Sequence, residues 1–153
     1  MSLDPALLRQ RASLLHALRS WLHNQGFAEI DVPVRVRSPA LEEHLEAFRV
    51  GDWWLHTSPE FALKRVLATG LGRIYSLGPS FRDEESGPQH AAEFTMLEWY
   101  EAFTDYNVQM ERFEQLVSSV CEKACGSMRV VYGGKEIDFT PPWKRITILD
   151  SLK

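Results

Sequence analysis

This sequence has only two cysteines, no excess of basic residues and no long apolar run. Each of these shortages argues against a class of protein. The two cysteines, Cys121 and Cys125, fall one turn apart in one predicted helix without histidine nearby, which argues against a zinc site and favours buried or half-buried thiols. With 17 basic and 21 acidic residues the formal net charge is −4, so any cationic site must be local.

No apolar run is long enough to span a membrane. Nothing near Met1 resembles a signal peptide, because Arg9 and Arg11 interrupt the apolar stretch. We therefore expect a cytoplasmic protein without membrane contact. The 153 residues, 44% of them hydrophobic and 25% charged, fit one globular domain with a sizeable core.

Apolar periodicity and turn residues predict an α+β fold, a mainly antiparallel β-sheet flanked by helices. A first helix begins at Asp4-Pro5 and ends at Gly26. A second begins at Thr57 or Ser58, either of which can cap it. The third is predicted over 105–124 with Met110, Phe113, Val117, Val120 and Ala124 on its core face, and Thr147 resembles the cap of another. Strands are predicted over 30–36, 48–50, 53–56, 73–77, 80–82, 93–102, 128–132 and 136–139.

The strands over 80–82 and 93–102 predict a long hairpin closed by a polar loop. Alternation places Phe94, Glu98 and Tyr100 on one face, and the facing strand offers Arg82. A carboxylate among aromatic rings is costly unless a donor or a cation meets it, and a guanidinium beside a ring suits a nucleotide. The alternative is a surface hairpin in which an arginine and a glutamate pair across the strands.

The order and spacing of these residues resemble motif 2 of the class II aminoacyl-tRNA synthetases. The sequence reads SFRDEE and then HAAEFTMLEWY within about 78–102, and the lysyl subclass has F-R-[ND]-E followed by H-x-x-E-F-T-x-x-E-x-Y. The chain departs at Ala91 and Ala92, where H-N-P-E is usual. Residues 26–33 resemble motif 1, at about 20–36, which forms the dimer interface in that family. The TSPEF segment at 57–61 resembles the start of a family helix.

This resemblance implies roles in binding ATP. Arg82 would hold the α-phosphate and stabilise the charge that develops there, which makes it the expected catalytic residue. Glu84 would contact the adenine amino group, Phe94 would stack on the base and His90 would contact the terminal phosphates. His90 has an alternative reading as a solvated loop histidine.

The resemblance also implies an amino-acid pocket. Glu60 and Glu98 would meet a substrate ammonium, and Tyr100 and Ser58 would line the same pocket. Glu60 has an alternative reading as a helix-capping residue. No residue is expected to bind a metal, because the acidic residues that hold Mg²⁺ in the family follow the segment that resembles this chain.

Within the family, three segments resemble the lysyl-type paralogue that attaches (R)-β-lysine to elongation factor P. They are SPALE at 38–42, TSPE at 57–60 and FTMLEWY at 94–100. No anticodon-binding barrel precedes motif 1, and the third family motif, a glycine-rich segment with an arginine, is not found after Tyr100. We therefore interpret residues 1–153 as a partial catalytic domain that is weakly active or inactive alone.

Three functions stay open at this point. The first is an ATP-dependent ligase core that activates lysine or a lysine-like amino acid for transfer to elongation factor P, with Mg²⁺ needed in the complete enzyme and a homodimer as its state. The second is transfer to a tRNA 3′ end. The third is a shortened, non-catalytic module that dimerises through motif 1.

Overall fold

The computed structural model describes residues 4–40, 42–83, 87 and 90–152, and it divides into two compact units. One unit is His23–Phe103, and the other joins Met1–Leu22 to Thr104–Lys153. The helices are α1 Pro5–Asn24, α2 Glu60–Leu67, α3 Tyr106–Cys125 and α4 Ile148–Ser151. The strands are β1 Ala28–Glu29, β2 Arg35–Val36, β3 Arg49–Val50, β4 Trp53–Leu55, β5 Arg73–Phe81, β6 Glu93–Glu101, β7 Arg129–Tyr132 and β8 Lys135–Asp138.

The unit His23–Phe103 is built around a sheet of order β1-β5-β6. β1 runs parallel to β5, and β5 pairs with β6 in an antiparallel ladder that begins with Arg73 opposite Glu101. The predicted hairpin is confirmed, and with it the mainly antiparallel α+β class. The two strands predicted over 73–77 and 80–82 are one strand, because Pro79 lies beyond the two-residue pairing with β1 and needs no N–H on that side.

Of the strand predicted over 30–36, only the last two residues, β2 Arg35–Val36, form strand, and they join a second sheet of order β2-β4-β3. The strand that pairs with β5 is β1, which ends at Glu29, before the predicted range. Pro33 lies between β1 and β2 and cannot donate to a ladder. The predicted turn at Gly51-Asp52 between β3 and β4 is confirmed.

The apolar core of this unit lies under α2. Outside that core, Arg73 on β5 and Glu101 on β6 form an ion pair at 2.7 Å that joins the two long strands. The glutamate side chain of that pair is 3% exposed. Burial of apolar surface on one side of the sheet holds the hairpin against the helix. The buried residues of the apolar core are Val32, Leu63 and Ile74, and the partly buried residues packed against them are Ile30, Ala62, Val66, Leu67 and Tyr100.

The other unit contains α1, α3, the β7–β8 hairpin and α4. The Asp105 carboxylate caps α3 by accepting from the N–H groups of Asn107 and Val108, and Gly126 ends the helix with a φ of 71°. The hairpin turns at two glycines, as predicted, and Thr147 caps α4 through the N–H of Asp150 at 3.1 Å. None of the described helices is both long and apolar enough to cross a bilayer.

The predicted core face of α3 is wrong in part, because two of its buried positions are polar. Ser118 donates to the carbonyl of Phe139 at 2.8 Å, and the Glu114 carboxylate is paired with Arg145, so both are tolerated inside. Phe113 is instead half exposed. The buried residues of α3 are Glu114, Leu116, Ser118 and Val120, and only the last was expected.

Candidate functional site

Arg82 and Phe94 lie on the same face of the β5–β6 hairpin. Ser80 is opposite Phe94, and the ladder continues because the N–H of Arg82 donates to the carbonyl of Ala92 at 2.9 Å. The guanidinium carbon of Arg82 is 5.3 Å from the centre of the Phe94 ring, within the range of a cation–π contact. Its Nε lies 3.5 Å from the carbonyl oxygen of Thr57. The cation and the ring are therefore held together, as the sequence predicted.

Glu98 projects from the same face further along β6, where Ser76 is its partner across the ladder. One carboxylate oxygen accepts from the hydroxyl of Ser58 and the other from the hydroxyl of Tyr100, both at 2.7 Å. The register does not place Arg82 opposite Glu98, because Arg82 lies six residues beyond Ser76, about 20 Å along the strand. The register therefore does not support a direct pair between Arg82 and Glu98, and the arginine and glutamate that do pair across these strands are Arg73 and Glu101.

The hydroxyl of Tyr100 donates its proton in a hydrogen bond to Glu98. Burial is the main cause that raises its pKa well above the usual value of 10.0, and the hydrogen bond and negative charge of Glu98 raise it further. The charge of Glu60 acts in the same direction, so a second carboxylate is close to this hydroxyl. Glu60, Glu98 and Tyr100 consequently form one acidic cluster, which we call the carboxylate cluster.

Glu60 begins α2, and its side chain does not cap that helix. The N-cap residue is Pro59, which has no side-chain cap bond, so the predicted cap at Thr57 or Ser58 is wrong. Ser58 instead binds the first residue of the helix, because its hydroxyl oxygen accepts from the N–H of Glu60 at 3.1 Å. The Glu60 carboxylate instead receives Lys64 Nζ at 2.5 Å, in a pair exposed at 54% on the lysine and 33% on the glutamate. The sequence interpretation missed Lys64, although its spacing of one helical turn from Glu60 is the signal that would have found it.

Two buried hydroxyls near Arg82 also escaped prediction. Thr57 Oγ1 and Ser80 Oγ are inaccessible and lack a hydrogen-bond partner among the described residues. A buried hydroxyl without a partner typically costs about 1–3 kcal/mol, so both positions are sites where a polar group of another part of the protein or of a ligand would be accommodated favourably. No feature of the sequence indicates that they are unpartnered, because that depends on how the 56–58 segment lies along β5.

Of the two loop residues assigned to ATP, the structure describes His90. His90 lies exposed at the hairpin tip, where its backbone exchanges hydrogen bonds with Gly87 at 3.2 and 3.4 Å, and its ring has no described hydrogen-bond partner. Glu84 lies outside the described residues. Within the described ranges no three acidic, histidine or cysteine side chains are grouped so that they could hold a metal ion.

The chain matches the sequence profile of one family and many individual relatives. The family is described as tRNA synthetases class II (D, K and N), and the match covers residues 5–153. The lysine–tRNA ligase of Clostridium perfringens is 40% identical over 94% of this chain, and that of Thermotoga maritima is 37% identical over 95%. The lysine–tRNA ligase of Clostridium botulinum is 36% identical over 94% of the chain.

In each of these relatives the match spans 30% of the length of the ligase. The matched part contains the motif 2 hairpin with Arg82 and Phe94 and the carboxylate cluster beside it. Because the family profile matches almost every residue, the chain belongs to the class II tRNA synthetases of the D, K and N group.

Proposed function

We propose that this chain forms the ATP- and amino-acid-binding part of a ligase core that activates lysine, or a lysine-like amino acid, as its adenylate. The observation that carries the proposal is the common face of the β5–β6 hairpin. That face presents the guanidinium of Arg82 against the ring of Phe94, and further along it the carboxylate of Glu98. Arg82 and Phe94 bind the nucleotide, and the carboxylate of Glu98 binds an ammonium group of the amino acid.

In this proposal Arg82 acts at the phosphate. The substrate carboxylate attacks the α-phosphorus of ATP, the bond to the β-phosphate oxygen breaks, and pyrophosphate leaves. Arg82 binds the α-phosphate and offsets the negative charge that grows there in the transition state, an effect typically worth two or three decades of rate. Phe94 supports the base, Glu84 contacts its amino group and His90 meets the terminal phosphates, as the family resemblance implies.

The carboxylate cluster selects the amino acid. Glu60 and Glu98 are two acidic groups that serve a substrate with two ammonium groups, and Ser58 and Tyr100 fix the orientation of Glu98 by donating to both of its oxygens. Mg²⁺ supplies additional charge neutralisation at the phosphates of the complete enzyme. The described residues offer it no ligand cluster, so we assign none of them to the metal.

Two acceptors compete for the activated amino acid. Elongation factor P is our first choice, because segments 38–42, 57–60 and 94–100 resemble the paralogue that modifies it. A tRNA is the second candidate, and it is supported by relatives named lysine–tRNA ligase that share 36–40% identity with this chain. Incubation with ATP and lysine or β-lysine, followed by mass spectrometry of the factor and a charging assay on tRNA, separates the two.

We further propose a cytoplasmic homodimer that associates through the motif 1 segment, about residues 20–36. The third candidate, a non-catalytic dimerising module, shares that surface but requires no ligand in the carboxylate cluster. Binding of lysine to the chain therefore distinguishes the ligase proposals from this one.

Isothermal calorimetry tests the proposal directly. We expect the chain to bind lysine and to bind ATP more weakly than a full-length lysine–tRNA ligase does, since the third family motif is not among these residues. Arg82→Ala should abolish the ATP signal and leave lysine binding in place, while Glu98→Gln should do the reverse. Arg129→Ala, in the other unit, is the matched control. Loss of neither signal in these variants would overturn the assignment.

A further inference from the structure

Lys64 occupies one of the two carboxylates that are assigned to the amino acid. Its Nζ lies 2.5 Å from Oε1 of Glu60, one turn earlier in α2. A primary ammonium on a flexible carbon chain is also the group that ends the side chain of free lysine, so Lys64 offers Glu60 the same kind of donor as the substrate. In the free chain, therefore, a cation of the protein takes a place that the proposed function gives to a ligand.

The contact between Lys64 and Glu60 is one that a ligand can break at little cost. The lysine side chain is 54% exposed and the glutamate side chain 33%, so water screens the pair. Exposed helical pairs with a glutamate one turn before a lysine change an equilibrium constant by only about twofold. The lysine stem is flexible, so Nζ can move into water while the backbone of α2 stays in place. Lys64 is thus able to leave Glu60 without loss of the fold.

Glu60 differs from an isolated surface acid because it belongs to the carboxylate cluster. Its charge reaches the hydroxyl of Tyr100, which donates to Glu98 at 2.7 Å. Ser58 joins the same two acids, by accepting from the N–H of Glu60 and donating to Glu98. Two nearby carboxylates repel each other, and Glu98 forms no ion pair within the described ranges. Lys64 therefore supplies positive charge that offsets this repulsion while no ligand is bound.

We propose that Lys64 is a tethered competitor at the amino-acid site, whose ammonium group occupies Glu60 in the free chain and is displaced by an ammonium group of the substrate. The inference rests on the proposed function and adds to it a residue that sets how tightly the amino acid is held. The exchange conserves charge at Glu60, because one ammonium leaves the carboxylate as another arrives. The chain consequently binds its amino acid less tightly than it would without Lys64.

Calorimetric titration of lysine into the full chain and three variants of α2 tests the proposal. Lys64→Met keeps a long side chain that favours helix and removes the ammonium, so lysine should bind about two- to fivefold more tightly. Lys64→Arg keeps a cation beside Glu60 and should bind lysine as the parent does. Arg65→Met is the matched control, because it removes one positive charge from the next position of the helix, which is also exposed. Lysine binding should be unchanged in this control.

Two ligands with one ammonium group each test whether the exchange occurs at Glu60. Norleucine keeps the α-ammonium of lysine, ε-aminocaproate keeps the side-chain ammonium, and both have no net charge at neutral pH. Lys64→Met should tighten the binding of only one of them, the ligand whose ammonium reaches Glu60. Equal tightening of both would mean that the variant acts through overall charge, and it would overturn the proposal.

The lysine titrations also separate failure of this inference from failure of the proposed function. Unchanged lysine binding in Lys64→Met, or an equal gain in Arg65→Met, would make the pair an ordinary contact of the helix surface. Weaker binding in Lys64→Met would mean that Lys64 holds Glu60 in position for the substrate. These results overturn the inference while the amino-acid site stands, since the parent binds lysine. Absence of lysine binding in both the parent and Lys64→Met would overturn the site itself, and the inference with it.

Discussion

Ser58 joins helix α2 to strand β6 through a single hydroxyl. It accepts from the N–H of Glu60 and donates to Glu98. We predict that Ser58→Ala lowers the free energy of unfolding by about 1–2 kcal/mol, because the bond to the N–H of Glu60 and a charge-assisted bond to Glu98 are lost together. Urea denaturation followed by circular dichroism measures the change.

Ser13→Ala provides the comparison for this variant. Ser13 is exposed within α1, with no hydrogen bond from its side chain among the described residues. Its replacement should leave the unfolding free energy unchanged or slightly higher, since alanine is the better helix former. Equal losses in the two variants would show that the Ser58 hydroxyl has no special role.

Tyr100 gives the stability of the protein a dependence on alkaline pH. Its pKa is raised in the folded state, by burial first and by Glu98 second, so above about pH 10 the unfolded chain releases a proton that the folded chain keeps. The free energy of unfolding should therefore fall as the pH rises above that point. Tyr100→Phe should lower stability at neutral pH but make this alkaline decline shallower.

Denaturation curves from about pH 8 to about pH 11 provide the measurement. Tyr132→Phe is the control, because Tyr132 is 79% exposed on the β7–β8 hairpin. If Tyr100→Phe keeps the full alkaline decline of the parent, the buried hydroxyl is not its source.

At the scale of elements, the turn after β6 is strained. Phe103 has a φ of 59°, and its side chain is fully exposed, so the left-handed backbone is not compensated by burial of the ring. A residue with a side chain in this conformation costs about 1–2 kcal/mol, while glycine adopts it readily. We predict that Phe103→Gly raises the free energy of unfolding by about 0.5–1 kcal/mol relative to Phe103→Ala.

The alanine variant separates strain from exposure, because it removes the ring and keeps the unfavourable φ. Thermal unfolding of both variants measures the difference. A glycine variant no more stable than the alanine variant would mean that the turn relaxes in solution.

Helix α3 should weaken in acid through its cap. The N–H of Val108 and then the side chain of Asn107 hold the pKa of Asp105 below its usual value. A carboxyl with a lowered pKa contributes stability above its unfolded-state pKa, and that contribution disappears as the pH falls through the folded-state pKa. Asp105→Asn keeps a capping oxygen without the charge, so its melting temperature should fall less than the parent's between about pH 5 and about pH 2. If the melting temperature of Asp105→Asn fell as much as that of the parent over this pH range, the Asp105 carboxylate would not be the source of the acid sensitivity.

Elements could be predicted from the sequence wherever periodicity and caps agree, as at α1, at α3 with Asp105 and Gly126, and at the β5–β6 hairpin. The prediction failed where partners distant in the chain decide. Residues 30–36 appear as one strand because their alternation is local, but only Arg35–Val36 form strand, because pairing with β5 ends at Glu29 and pairing with β4 begins at Arg35. The core face of α3 was misjudged because Arg145 and Phe139 make buried positions for Glu114 and Ser118.

In the candidate site, too, the features set by local pattern could be predicted and those set by distant partners could not. A shared face for Arg82, Phe94 and Glu98 follows from counting residues along an antiparallel pair, so the sequence was sufficient. The bonds of Ser58 to both Glu60 and Glu98 depend on where α2 lies against the sheet, which no local pattern contains.

For the molecule as a whole, ligand effects should differ between the two units. Every residue assigned to ATP or to the amino acid belongs to His23–Phe103. We predict that lysine slows amide hydrogen exchange in β6 and at the start of α2, because binding stabilises the state that closes these bonds, while exchange within α3 is unchanged.

Norleucine is the control ligand for the lysine experiment, because its carbon chain is as long as that of lysine but carries no side-chain ammonium. It should give little protection in β6. Equal protection by both amino acids would show that the side-chain ammonium is not recognised by the carboxylate cluster.

The hydroxyl protons next to Glu98 are both used within the carboxylate cluster. Ser58 and Tyr100 each own a single O–H, and both protons are already committed to the Glu98 oxygens. Lone pairs alone are thus left for a visitor to these three side chains. In the proposed site we therefore expect a positively charged amine to bind at these oxygens, and we expect an ester or a nitrile of the same shape, which can only accept hydrogen bonds, not to bind there.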